Sequence, residues 1–110
     1  MICQTPAPPY YAVIFSVVRA NADEEAYTAM AEKMVMLMAQ QDGFLGLEFS
    51  PESPERFSLT VCYWRDQEAI HRWKQQADHL VAQKLGKEKW YPEYSIRIAK
   101  VERAYFHKLS

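Results

Sequence analysis

Cysteine and glycine are scarce in this chain of 110 residues, and long hydrophobic runs are missing. Two cysteines, Cys3 and Cys62, are too few for a disulfide framework and lack the Cys-x-x-Cys spacing of zinc or thiol-redox sites. The three glycines, Gly43, Gly46 and Gly86, are too scattered for a phosphate-binding loop. No motif for a metal, a flavin or a nucleophilic triad accompanies them. No stretch of about 18 apolar residues occurs, so no membrane-spanning helix is expected. The first residues, Met1 to Pro9, lack the basic start and apolar run of a signal peptide. They read as a short, stiff arm over 1–9 ahead of a single domain over 10–110, and the expected compartment is the cytoplasm.

An excess of either charge is missing too. Thirteen Lys and Arg against fourteen Asp and Glu leave a net charge of −1, which removes any bulk attraction to nucleic acid or an anionic membrane. The distribution is uneven: residues 1–55 carry two basic and eight acidic side chains, residues 56–110 eleven basic and six acidic. Either the second half offers a phosphate-binding face, or two halves of one domain neutralise each other; the near-zero sum favours the second. What is abundant is aromatic surface, at 14% with 3 Trp and 7 Tyr. That implies a large packed core, an interface or an aromatic-lined cavity.

Hydrophobic periodicity orders the chain. Tyr10 to Arg19 is a β-branched and aromatic run that predicts a first strand. Asn21 with Glu24 has capping-box spacing, and Tyr27, Met30, Ala31, Met34, Leu37 and Met38 then recur at helical intervals up to Asp42-Gly43. Three of the four methionines in that stretch share the apolar face, so they read as core rather than as a metal site or a promiscuous groove. Phe44 to Ser50 alternates weakly as a second strand. Pro51 to Pro54 turns the chain, and Arg56 to Trp64 pairs back as a third strand. Asp66 caps a second helix whose stripe is Ala69, Ile70, Trp73, Ala77, Leu80 and Val81, ending at Gly86, with a possible restart at Asp78. Trp90-Tyr91-Pro92 is loop, and Tyr94 to Phe106 is the last strand. The order is βαββαβ, the split ferredoxin-like unit.

Two features exceed that fold. The first strand is apolar on both phases, whereas an antiparallel sheet with one wet face needs only one. The helices cover one face; a second sheet from another subunit is the natural cover for the other. The last strand, at about 13 residues and roughly 3.3 Å each, is also too long for so small a sheet to pair in full. A homodimer is expected, with the C-terminal end reaching the partner.

The stretch Tyr63-Trp64-Arg65-Asp66-Gln67-Glu68-Ala69, followed by Trp73, His79, Gly86, Trp90, Tyr94 and Arg97, resembles the antibiotic biosynthesis monooxygenase (ABM) domain family. The resemblance follows element order over residues 10–106. It implies an α+β fold, ferredoxin-like with an antiparallel sheet, assembled as a dimeric α+β barrel. The family includes cofactor-free oxygenases of quinol-like or anthrone-like molecules, haem-degrading enzymes and proteins with no known reaction, so it implies fold more firmly than chemistry. The haem branch fits poorly. Its ligand histidine would fall at Gln83, its strand-one asparagine is absent from Val13 to Val18, and His79 stands roughly 120° around the helix from Trp73.

A cofactor-free oxygenase needs no cofactor or metal. It needs a dry aromatic slot, a donor for a developing oxyanion and a proton acceptor. Trp73 is the candidate wall, Arg97 the anion-stabilising cation and His79 the proton exchanger near neutral pH. Each has a plainer reading: Trp73 as core, His79 as a surface residue beside Asp78, Arg97 as one half of an ion pair across a dimer. His71 and His107 read as solvent-facing. Ser16, Ser58, Thr60 and Cys62 are the small polar residues of otherwise apolar strands, either lining a cavity or simply satisfied within the sheet. The expected partners are a second copy of the chain and a small hydrophobic or aromatic ligand, with no nucleic acid and no membrane. A binding or sensing protein without a reaction is the alternative function. An RNA-recognition module shares the element order, but Arg56 to Tyr63 lacks the glycines of its stacking strand.

Overall fold

The computed structural model describes residues 2–20, 24–84 and 92–109, with side chains of 80–84 set aside. Its elements follow the order read from the periods: β1 Tyr10–Val18, α1 Glu24–Ala39, β2 Phe44–Phe49, β3 Phe57–Trp64, α2 Gln67–Lys84 and β4 Glu93–Val101. All three strand pairings are antiparallel, in the sheet order β2-β3-β1-β4. The Asn21 cap, the Gly86 stop and the Trp90-Tyr91 loop lie outside the described residues.

Register sorts the side chains into two faces. Val13 stands opposite Cys62 on β3 and Ile98 on β4, and the odd residues of β1 follow it toward the helices. On that side Cys62 and Trp64 pack with Ala69, Ile70 and Trp73 of α2 and Met38 of α1. Trp64 is fully buried, and its ring stacks on Trp73 with centroids 6.3 Å apart. Two buried indoles of this size remove enough apolar surface from water to stabilise the fold by roughly 4–6 kcal/mol each, before conformational entropy is set against it.

The corners are pinned by capping and by charge. The Asp66 Oδ1 accepts the Ala69 N–H at 2.8 Å, as the N-cap reading requires. Arg65 forks onto Asp42 with both contacts at 3.1 Å, and its N–H reaches the Gly43 carbonyl at 2.7 Å. Gly43 itself, at φ +92°, ends α1 where any added Cβ would stand 2.7 Å from that of Ala69. The corner after α1 thus seats directly on the first turn of α2. Asp78 starts no new helix; α2 runs through it unbroken, and Asp78 accepts a 2.6 Å bond from Lys74.

Two expectations are corrected. The weak alternation of β2 is a bulge: Phe44 lies opposite Trp64 but Gly46 opposite Tyr63, so Phe44, Leu47 and Phe49 share the helix-facing side despite their uneven spacing. The last strand ends at Val101 rather than Phe106. Val101 lies opposite Tyr10, where β1 begins, so among the described residues no strand remains beside 102–109. Tyr105 and Leu109 in that segment are 85% and 84% exposed.

The N-terminal arm lies on the opposite sheet face. The Cys3 N–H donates to Glu48 at 2.9 Å, and the Thr5 hydroxyl donates to that of Tyr10 at 2.7 Å. The Cys3 thiol rests on Gly46, where a side chain would stand in any other residue. Tyr10 and Ala12 are consequently buried, while Ile14, Leu59 and Val61 farther along this face stay half-buried.

Candidate functional site

The helices cover the sheet unevenly. Among the described residues, the core clusters draw their side chains from α1, α2, β1, β2 and β3, and none from β4. On the same helix-facing side, Tyr94, Ile96 and Ile98 of β4 remain between 43% and 50% exposed. Phe15 of β1 adjoins them, its ring 5.9 Å from that of Tyr94 and tilted by 49°. Ser58 and Thr60 of β3 flank the other side, opposite Val17 and Phe15. Among the described residues neither hydroxyl has a side-chain partner, although both are half-buried. The result is an apolar shelf on β4 beside the core, with half-buried Phe15 and buried Val17 between it and the β3 hydroxyls. Such a surface suits a flat ring carrying one or two polar substituents.

Trp73, His79 and Arg97 do not converge within one chain. Trp73 is buried at 8% exposure in the helix–sheet core. His79 is exposed on α2, on the side away from that packing. Arg97 lies opposite Ile14, on the sheet face turned away from both helices, where it donates to the Ser95 hydroxyl at 3.0 Å. Alternation along β4 is the reason: Ile96 and Ile98 face the helices, so Arg97 between them must face away. Of the four small polar strand residues, Ser58, Thr60 and Cys62 face the helices and Ser16 does not. Cys62 accepts the Trp64 indole N–H at 3.1 Å, and burial pushes its thiol pKa up, which keeps it an inert neutral group.

The sequence reading overlooked Arg19. It extends the helix-facing stripe of β1 by one more odd position and is buried, yet it bears a full charge. Its Nε and Nη2 donate to Glu52 at 2.8 and 2.9 Å, Nη2 also to Glu24 at 3.0 Å, and its guanidinium lies 4.4 Å over the Tyr27 ring. Arg56, at φ 66°, completes the cluster with a 2.8 Å bond to Glu24. These bonds hold the Glu24 carboxyl below its usual range. The available signal was a lone arginine ending an apolar strand, which requires a partner when buried. On the arm side, Glu48 also accepts the Tyr63 hydroxyl at 2.6 Å; that donor and the Cys3 N–H lower its pKa, while burial and then Glu48 raise that of Tyr63. Among the described residues no group of three His, Cys, Asp or Glu is placed to hold a metal ion, and no helix is long and apolar enough to cross a membrane.

An antiparallel α+β sheet with two helices on one face defines a ferredoxin-like fold. Residues 9–85 match the family model for antibiotic biosynthesis monooxygenase, and the chain belongs to that family. It is 45% identical over 102 residues to the uncharacterized protein YqjZ of Bacillus subtilis (strain 168), covering 93% of this chain and 88% of that one. It is 27% identical over 92 residues to jasmonate monooxygenase ABM of Pyricularia oryzae; the match takes in 83% of this chain but 43% of that longer protein. Among solved structures, the cofactor-independent oxygenase SnoaB of Streptomyces nogalater superposes with a TM-score of 0.69 at 10% identity, over 88% of this chain and 97% of SnoaB. A Shewanella oneidensis protein superposes with a TM-score of 0.70 at 13% identity, over 94% of this chain and all of the other. These two likenesses show a shared fold.

Proposed function

We propose that this chain is a cofactor-independent oxygenase that takes a small, flat, electron-rich aromatic, quinol-like or anthrone-like, on the shelf. The observation that carries the reading is the contact of half-buried Phe15 with exposed Tyr94 on the same inner face as the Ser58 and Thr60 hydroxyls. The names of SnoaB and of the Pyricularia oryzae relative support it. In such a reaction the substrate loses a proton, its carbanion reduces O₂, and the resulting peroxide collapses to a quinone and water. The shelf excludes water from one side of the ring, and the two hydroxyls donate to the developing oxyanion.

The roles proposed for the sequence candidates follow their positions. Trp73 stiffens the core beside the shelf, and His79 stands on the solvent side of α2. Arg97 serves the sheet face on which a second copy packs to form a homodimer. A binding protein without turnover is the second reading. It is favoured by the character of the shelf's polar groups, since Ser, Thr and Tyr hydroxyls orient a ligand but are weak bases at neutral pH. O₂ consumption with anthrone and hydroquinone substrates, measured beside ligand binding, decides between them. Uptake that falls at least tenfold in a Ser58→Ala, Thr60→Ala double variant supports the oxygenase; binding with no uptake by the wild type supports the carrier.

A further inference from the structure

We infer that the shelf takes an aromatic acid rather than a neutral ring, and that Lys100 is the residue that receives its carboxylate. The inference rests on the reading of the shelf as the ligand site.

Alternation along β4 places the cation. Tyr94, Ile96, Ile98 and Lys100 occupy every second position and stand opposite Val17, Phe15, Val13 and Tyr11 of β1. Val13 and Tyr11 pack against the helix–sheet core, so their partners on β4 share that side of the sheet. Arg97 faces away, and the cation on the helix-facing side is Lys100, three residues later. The stripe is open along its length: Tyr94 is 43%, Ile96 46% and Ile98 50% exposed, and Lys100 is exposed as well. No buried side chain of β4 interrupts it. Extended strand sets Lys100 about 7 Å beyond Ile98 and about 13 Å beyond Ile96. A fused two-ring frame seated on the two isoleucines therefore brings a substituent at its far end toward the lysine, whose flexible stem covers the remaining distance.

The ammonium is uncommitted. Among the described residues Lys100 makes no side-chain hydrogen bond or ion pair. By contrast, Arg19, Arg65, Arg72 and Lys74 are each held by a carboxylate at 2.6 to 3.1 Å. Three N–H donors at the end of an apolar strip match a ligand that is apolar along its body and anionic at one end. An exposed ion pair is weak by itself, largely because two mobile groups must be ordered to form it. A ring already resting on Ile96 and Ile98 has lost much of that freedom, so the carboxylate adds affinity at a smaller entropic cost. A neutral ring covers the same isoleucines and gains nothing from the lysine.

The test compares 6-hydroxy-2-naphthoate with 6-hydroxy-2-naphthamide, which share one ring system and nearly one shape but differ by one charge. Binding is measured anaerobically by calorimetry on the full chain. The wild type should prefer the carboxylate by about fivefold, the size an exposed ion pair supports, and added salt should narrow that ratio. Lys100→Gln should bring the ratio to about one and leave the amide unchanged, while Lys100→Arg should preserve it. Arg97→Gln, which removes the same charge from the other face of the same strand, should leave the ratio as it is. Ile98→Asn should weaken both compounds alike, by about threefold or more. Equal affinities in the wild type, or a ratio that survives Lys100→Gln, overturn the inference and leave the shelf standing. A ratio that falls as far in Arg97→Gln marks a general surface attraction and overturns it too. If neither compound binds, or if Ile98→Asn changes neither affinity, the reading of the shelf as a ligand site falls and the inference falls with it.

Discussion

Trp73 shows how a residue's surroundings decide what it does. Its indole stacks on Trp64 and is enclosed by α2, β3 and α1, so its first duty is to the core. Trp73→Ala should cost about 3–5 kcal/mol in denaturant unfolding, because the helix–sheet layer cannot collapse into a gap that large. Trp73→Phe should cost less than half of that. A variant that melts like the wild type would place Trp73 outside the packed layer. Arg19 is the opposite case, a buried charge whose surroundings supply all the neutralisation it needs.

Among the elements, the arm and β2 depend on each other. Glu48 on β2 receives both the Cys3 N–H and the Tyr63 hydroxyl, and both donors favour its ionised form. A carboxyl whose pKa is depressed on folding adds stability above its unfolded value, here near 4.5, and loses it as the pH falls through the folded value. Glu48→Gln should therefore melt lower than the wild type at pH 7, by about 1 kcal/mol given the partial exposure. The gap should close on acidification below about pH 4.5. A gap that does not narrow at all as the pH is lowered from 4.5 would mean the carboxylate charge contributes nothing. The bulge at Phe44–Gly46 belongs to this scale as well, since it turns Gly46 toward the arm and lets the Cys3 thiol sit against bare backbone.

At the scale of the molecule, two apolar surfaces are only partly covered among the described residues. One is the Ile14–Leu59–Val61 part of the outer sheet face; the other is the C-terminal segment carrying Tyr105 and Leu109. The proposed homodimer covers both. Sedimentation at micromolar concentration should give about twice 12.9 kDa, and a chain ending at Val101 should dissociate at least tenfold more readily. A monomer at that concentration, or a dimer indifferent to the truncation, would count against the assembly.

The element order, the Asp66 cap and the membership of Met38, Ile70 and Trp73 in one core were all legible in the sequence. They follow from periods of 2 and 3.6 and from capping chemistry, which act over a few neighbouring residues. The shelf was legible only in part. Ser58 and Thr60 stood out as polar residues in apolar strands, but nothing local said that Tyr94 and Phe15 would flank them. Likewise, Trp73 and Arg97 look equally available along the chain, and only strand register assigned them to opposite faces of the sheet. The partners of Arg19 lie 5 and 33 residues away, and β4 stops where β1 begins, 91 positions earlier. Pairing between distant strands decided these points, because one residue of register sends every side chain to the other face, and short-range patterns carry no information about that choice.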